Sequence, residues 1–284
     1  MPSAQVLAAR RERYQQVTLT RRVRHRMRTR FTEYPSLYLP FARYKYPGPS
    51  PEVISSATEL VIDGYTRSAS TFAVYALQLA QPVPVRLAHH LHAPAQLIAA
   101  ARAGVPALAV IREPRGALLS QLIREPDVAL RDALIAYTRF YQRLLPYRDR
   151  LVAAGFDEVT KDFGAVTRRI NDRFDTTFAE FEPSERNTQR CFELIKLRST
   201  LSPVLLGFES GTVAPGDLLP EVAALTRQRQ AHVPGAAGLV AETWVPSAER
   251  EQSKAALREE WEQPALALLR DRAQWAYHEF RRPQ

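Results

Sequence analysis

The stretch Leu60-Val61-Ile62-Asp63-Gly64-Tyr65-Thr66-Arg67-Ser68-Ala69-Ser70-Thr71-Phe72 decides how the chain folds. A short aliphatic run stops at Asp63-Gly64, small residues follow, and a segment rich in Ala, Phe, Val, Tyr and Leu continues through Ala80. That order predicts a strand, a turn and a buried helix. Such a turn suits an anion. Small side chains let backbone N–H groups come close, the helix N-terminus adds a favourable dipole, and Ser68, Ser70 and Thr71 can donate hydroxyl hydrogen bonds. Arg67 adds a fixed positive charge. A plainer reading, an ordinary capped helix start, accounts for the same hydroxyl residues without a ligand.

Outward from this turn lie two further short aliphatic runs, Val83–Leu87 and Ala107–Ile111, separated by a helix-like Ala95–Arg102 stretch and a turn at Gly104. The βαβ spacing predicts an α/β fold with a central parallel sheet flanked by helices. Leu130, Leu134, Tyr137, Tyr141 and Leu144 recur at steps of three and four, so they share one face of a long helix that should cover the sheet. Leu266, Leu269, Ala273, Ala276 and Phe280 repeat that spacing near the C-terminus. A fourth strand is expected at Leu151-Val152 or Phe156–Val159. The passage from Tyr34-Pro35 through the Pro-Gly-Pro-Ser-Pro of residues 47–51 predicts irregular backbone, as does the Gly- and Pro-containing region 200–247. The resulting division is a basic, Pro- and aromatic-rich arm over residues 1–50 and one α/β domain over 51–284 with an irregular insertion at 200–247.

With 284 residues, 45% hydrophobic and 24% charged, the composition is that of a soluble globular protein. No stretch approaches the roughly 20 apolar residues of a membrane span, and the N-terminus lacks the apolar run of a secretory leader, so a cytoplasmic location is expected. Cys191, the sole cysteine, reads as a structural residue. The net charge of +9 is local: residues 1–45 hold ten Arg and one Lys against Glu12 and Glu33, leaving 28 basic and 28 acidic groups over 46–284. Residues 10–30, with Arg21, Arg22, Arg24, Arg26, Arg28 and Arg30, therefore predict either a solvated arm or a weak contact with polyanions or an anionic membrane.

Against the ATP-binding pattern G-x-x-x-x-G-K-[ST], Gly64 and Thr71 match, but Ala69 replaces the second glycine and Ser70 the lysine. The charge normally aimed at the β and γ phosphates is missing, which argues against an NTPase. A second strand-to-helix junction, Val110-Ile111-Arg112-Glu113-Pro114-Arg115-Gly116 through Ser120, follows 45 residues after Arg67. Arg112 can hold a phosphate bidentately and Pro114 can start the helix that presents Ser120. The plain alternative pairs Arg112 with Glu113 or Asp127 and packs Ser120 within its helix.

Arg67-Ser68-Ala69-Ser70-Thr71-Phe72, together with Arg112 and Ser120 eight positions later, resembles the sulfotransferase family that uses 3′-phosphoadenosine 5′-phosphosulfate. The resemblance covers roughly residues 60–125 and implies a three-layer, P-loop-like fold. It implies that residues 67–72 hold the phosphosulfate end of this donor co-substrate, with Phe72 against the adenine, and that Arg112 and Ser120 clamp its 3′-phosphate. The family's late Arg-Lys-Gly segment does not occur; Arg250 and Lys254 could replace it by charge and position, but plain solvent exposure is the favoured reading of both.

Between the two junctions stands His89-His90-Leu91-His92, where His90-Leu91 matches the family's Lys-Thr-His-Leu-Pro string, Ala88 falls on its lysine and Pro94 is displaced. A neutral imidazole can take the acceptor proton, and His90 is favoured over His92 as that base; a carboxylate serves in some relatives. Capping, core and metal-ligand roles are the alternatives for the cluster, although no metal is expected. The expectation is thus a sulfotransferase acting on a small-molecule or glycan hydroxyl or amine, with His90 and Arg67 catalytic. Its rival is a noncatalytic nucleotide- or polyanion-binding protein that retains the fold.

Overall fold

The computed structural model of the chain describes residues 19–198, 202–231, 254–255 and 257–282. Two N-terminal helices, α1 (Leu19–Phe31) and α2 (Pro35–Lys45), lead into β1 (Leu60–Gly64) and α3 (Ser70–Ala80). Next come β2 (Leu87–His89), α4 (Pro94–Ala103), β3 (Ala107–Ile111), α5 (Pro114–Arg124) and α6 (Leu130–Leu144). The elements described after β4 (Val152–Gly155) include the helices α7 (Phe156–Lys161), α8 (Phe163–Phe174), α9 (Glu185–Leu197), α10 (Pro203–Ser210), α11 (Pro215–Ala231), α12 (Arg258–Trp261) and α13 (Ala267–Arg281).

The four strands form one parallel sheet in the order β2-β1-β3-β4. Side chains alternate across it. Leu60, Ile62, Leu108 and Val110 pack against α3, α8, α9 and α10, while Val61, Ala107, Ala109 and Ile111 pack against α4, α5, α6 and α13. Both faces are therefore covered, and every residue of β1 and β3 is buried, as an α/β sheet requires. This is the expected three-layer α/β architecture. Leu130, Leu134, Tyr137, Tyr141 and Leu144 of α6 are all buried, as their spacing predicts.

Four local expectations are corrected. The strand expected at Val83–Leu87 starts only at Leu87 and runs to His89, because Pro82 and Pro84 cannot donate to a ladder and Val83 lies exposed. Phe156–Val159 is not strand; it opens α7, where the Glu158 carboxylate accepts from the Gly155 amide, and β4 ends just before it. The passage 35–45 is helical, since Pro35 sits in the first turn where its missing N–H costs nothing, and Tyr38, Leu39 and Ala42 bury one face. Within the region expected to be irregular, residues 203–210 and 215–231 form α10 and α11; residues 199–201 and 232–247 lie outside the described residues.

The connection from β1 leads outward to β2, whereas that from β3 leads to β4 on the other side. The order of winding reverses between β1 and β3. A crevice opens at such a point beyond the carboxyl ends of the two strands, and it is where open α/β sheets bind ligands.

Candidate functional site

At the end of β1 the backbone bends sharply. Arg67 (φ 69°) and Ala69 (φ 78°) take the left-handed conformation. A non-glycine residue held there costs about 1–2 kcal/mol and persists only when its surroundings impose it. The bend starts α3 without a side-chain cap. The backbone N–H groups of Ser68, Ala69, Ser70 and Thr71 find no acceptor among the described residues, and the buried Ser70 hydroxyl has no hydrogen-bond partner there either. A nest of open donors is what an anion needs.

Gly64 makes this close packing possible. A Cβ there would press onto the Val110 carbonyl oxygen of the neighbouring strand. Two tyrosines of α6 then brace the crevice from below. Tyr141 donates to the Val110 carbonyl oxygen (2.9 Å), accepts from the Tyr65 amide (3.3 Å) and lies 3.5 Å from the Ser68 hydroxyl. Tyr137 donates to the Arg112 carbonyl oxygen (2.6 Å). Burial raises both phenols well above their ordinary pKa, so they remain hydrogen-bond donors.

At the end of β3, Arg112 donates to the Arg67 carbonyl oxygen (3.2 Å) and its guanidinium stacks 3.9 Å from the Phe156 ring centre. Arg67 in turn donates through Nε to the Ser120 hydroxyl (2.9 Å). The two junctions are thus tied together directly. Glu113 caps α5, accepting from the Arg115 and Gly116 amides (2.9 and 2.8 Å). Arg115 approaches Glu262 at 3.8 Å on the surface.

A cavity of about 760 Å³ fills the crevice, within the range typical of cofactor sites. Seven of the expected site residues line it: Arg67, Ala69, Ser70, Thr71, Phe72, His90 and Arg112. Ser68 and Ser120 do not; both are buried behind the turn. Phe72 forms an aromatic wall with Phe192, ring centres 5.5 Å apart. Arg124, Arg198 and Lys254 join Arg67 and Arg112, giving five cationic side chains and no carboxylate among the described lining residues. Lys254, for which the sequence offered solvent exposure as the plainer role, lines the cavity; Arg250 lies outside the described residues.

Arg198 and Arg124 carry no local sequence signal. Arg198 ends α9 and donates to the fully buried Glu209 through Nε (2.5 Å) and a terminal nitrogen (3.2 Å), and to the Ser50 hydroxyl (2.7 Å). Tyr75 of α3 donates to the same carboxylate (2.7 Å). This triad holds a guanidinium at the cavity wall.

The histidines divide by role. Asp63, fully buried, accepts from the Gly64 and His92 amides (2.9 and 3.1 Å), and His92 Nδ1 donates to the Gly64 carbonyl oxygen (2.9 Å). His92 therefore secures the end of β1. His90 Nε2 meets the Thr71 hydroxyl at 2.9 Å, and its Nδ1 meets His89 Nδ1 at 2.5 Å. Both His90 (φ 59°) and His92 (φ 50°) are left-handed, so four of the five non-glycine residues with positive φ among those described lie at this site. Burial, and then the nearby Arg198 guanidinium, hold His90 well below the usual histidine pKa, and burial brings His89 down to about 4. Both rings are neutral near pH 7.

His89, His90 and Glu209 offer ligand atoms within 4.8 Å of one another, the geometry of a small metal set. Glu209 already accepts from Arg198 and Tyr75, which leaves a cation to compete with a guanidinium for the same oxygens. Cys191 is buried, with its thiol pushed up to about 12, and packs in the core. No family model matches the chain, and neither does any curated protein or solved structure.

Proposed function

We propose that the protein is a cytoplasmic sulfotransferase that moves a sulfonate from 3′-phosphoadenosine 5′-phosphosulfate to the hydroxyl or amine of a small-molecule or glycan acceptor. The observation that carries this reading is the convergence of the 67–71 turn and Arg112 on one strongly cationic cavity at the switch point, with Ser70 where an ATP site needs lysine. In this reading the open amides of residues 68–71 and the Thr71 hydroxyl take the 5′-phosphosulfate. Arg112 and Lys254 take the 3′-phosphate, and Phe72 lies along the adenine.

The acceptor oxygen attacks sulfur as the bond from sulfur to the 5′-phosphate oxygen breaks. Its electron pair stays on the phosphate, giving 3′-phosphoadenosine 5′-phosphate, and the acceptor proton passes to His90 Nε2. Arg67 stays protonated throughout, so its contribution is electrostatic. Arg198 adds a second fixed charge beside His90, in the region where Ala88 leaves the family's lysine unfilled. The same cations that depress His90 also have a consequence for the base: an anionic donor offsets their field and raises His90 toward the working range.

Labelled donor and an acceptor screen test the reaction. Turnover should fall by about 10²–10⁴ in His90→Ala, with little change in affinity for 3′-phosphoadenosine 5′-phosphate. Undiminished turnover in that variant would remove His90 from the mechanism.

A further inference from the structure

Among the described residues, six of the nine large apolar side chains that stand exposed fall between residues 23 and 44. Leu37, Phe41 and Tyr44 follow one another at steps of four and three, so they share one face of α2 at 58%, 44% and 88% exposure. Val23 and Met27 form a matching pair on α1, where Met27 is 66% exposed. Phe31 and Phe41 meet edge to face at 5.4 Å, which sets the two stripes side by side. Between them runs a groove of about 860 Å³ that Val23, Met27, Phe31 and Phe41 line. An exposed apolar surface of this kind marks an interaction site.

Cations surround the stripes. Residues 23–45 carry Arg24, Arg26, Arg28, Arg30, Arg43 and Lys45 against the single acid Glu33, which Arg139 already binds at 2.6 Å. Arg24, Arg28 and Lys45 line the groove itself, and the Lys45 ammonium lies 5.8 Å from the Phe41 ring centre. The opposite wall holds Glu125, Asp127 and Asp132; Asp132 accepts from Arg26 (2.9 Å) and Glu125 from Gln121 (3.0 Å). The helices therefore present net positive charge around aliphatic and aromatic side chains. A polyanion in water would use the charges and leave Met27 and Leu37 exposed. A bilayer uses both.

We infer that α1 and α2 form a docking surface for an anionic phospholipid bilayer, with Met27, Leu37, Phe41 and Tyr44 entering the boundary between headgroups and acyl chains and the surrounding arginines and Lys45 meeting the lipid phosphates. A narrow cleft bordered by His25, Arg28 and Glu125 also touches Thr66 and His92 of the cationic cavity. Docking thus brings the cavity close to the membrane surface.

Cosedimentation of the full chain with vesicles tests this surface independently of any transfer activity. Phosphatidylcholine mixed with phosphatidylglycerol should retain the protein, and phosphatidylcholine alone should not. Met27→Asp/Phe41→Asp should weaken retention about tenfold or more. Leu37→Asp/Tyr44→Asp, both more exposed than Phe41, should do the same with an unchanged thermal melt. Equal sedimentation with both vesicle types would overturn the inference. So would unimpaired retention of the second variant together with full displacement by duplex DNA, which would mark a polyanion patch instead.

Discussion

After β3, the Glu113 carboxylate accepts from the first amides of α5, so that junction offers a ligand the side-chain charge of Arg112 and little main chain. After β1, no side chain caps α3, Arg67 and Ala69 are held left-handed, and the amides of residues 68–71 stay open. The two junctions share an order of strand, turn and helix but differ in what they leave unsatisfied. The first leaves backbone donors open and holds two non-glycine residues left-handed; the second closes its first amides with a carboxylate and presents the Arg112 guanidinium. In the proposed reading the open amides take the 5′-phosphosulfate and the Arg112 side takes the 3′-phosphate of one donor.

The contrast can be broken at its tightest point. Gly64→Ala forces a methyl group against the Val110 carbonyl oxygen and should cost about 3 kcal/mol in urea denaturation, more than any conservative change at the β3 junction. Tyr141→Phe leaves the Tyr65 amide and the Val110 carbonyl oxygen without this partner and should cost about 2 kcal/mol by the same measurement. Glu113→Ala removes the cap of α5 and should cost about 1 kcal/mol while leaving nucleotide affinity unchanged, because the cap faces its own helix. Ala69→Gly works in the other direction. Relief of the left-handed alanine should raise stability by about 0.5–1 kcal/mol, and a loss instead would show that residue 69 is unstrained.

His89 is buried neutral with its pKa brought down from 6.5 to about 4, so below pH 6.5 the unfolded chain binds a proton that the folded chain refuses. Its share of stability is present above pH 6.5 and is lost as pH falls toward 4. His89→Gln should flatten the decline in melting temperature across that window relative to the unmodified chain.

Much of the scaffold was legible in the sequence because it obeys short-range rules. β1 and β3 are aliphatic runs ended by turn residues, and α6 displays its buried stripe at helical spacing. β2 was misplaced because its residues are few and follow two prolines, while α2 was missed because Pro35 and Pro40 look like breakers though the first sits where a helix tolerates it. At the site, the turn, Arg112 and the histidines were visible as local strings. The fixing of Arg198 by Glu209 and Tyr75 was not, nor was the bracing of both junctions by Tyr137 and Tyr141. Those contacts join residues far apart in the chain, and their side chains read locally as ordinary polar or core positions. The left-handed backbone at Ala69 was also hidden, since alanine gives no sign of positive φ.

Calorimetric titration with 3′-phosphoadenosine 5′-phosphate and with 5′-AMP tests most directly whether the two junctions share one ligand. The bisphosphate should bind about 10–100-fold more tightly, and Arg112→Ala/Lys254→Ala should abolish that preference while leaving the 5′-AMP affinity largely intact. Equal affinity for the two nucleotides, or a preference that survives Arg112→Ala/Lys254→Ala, would contradict the account.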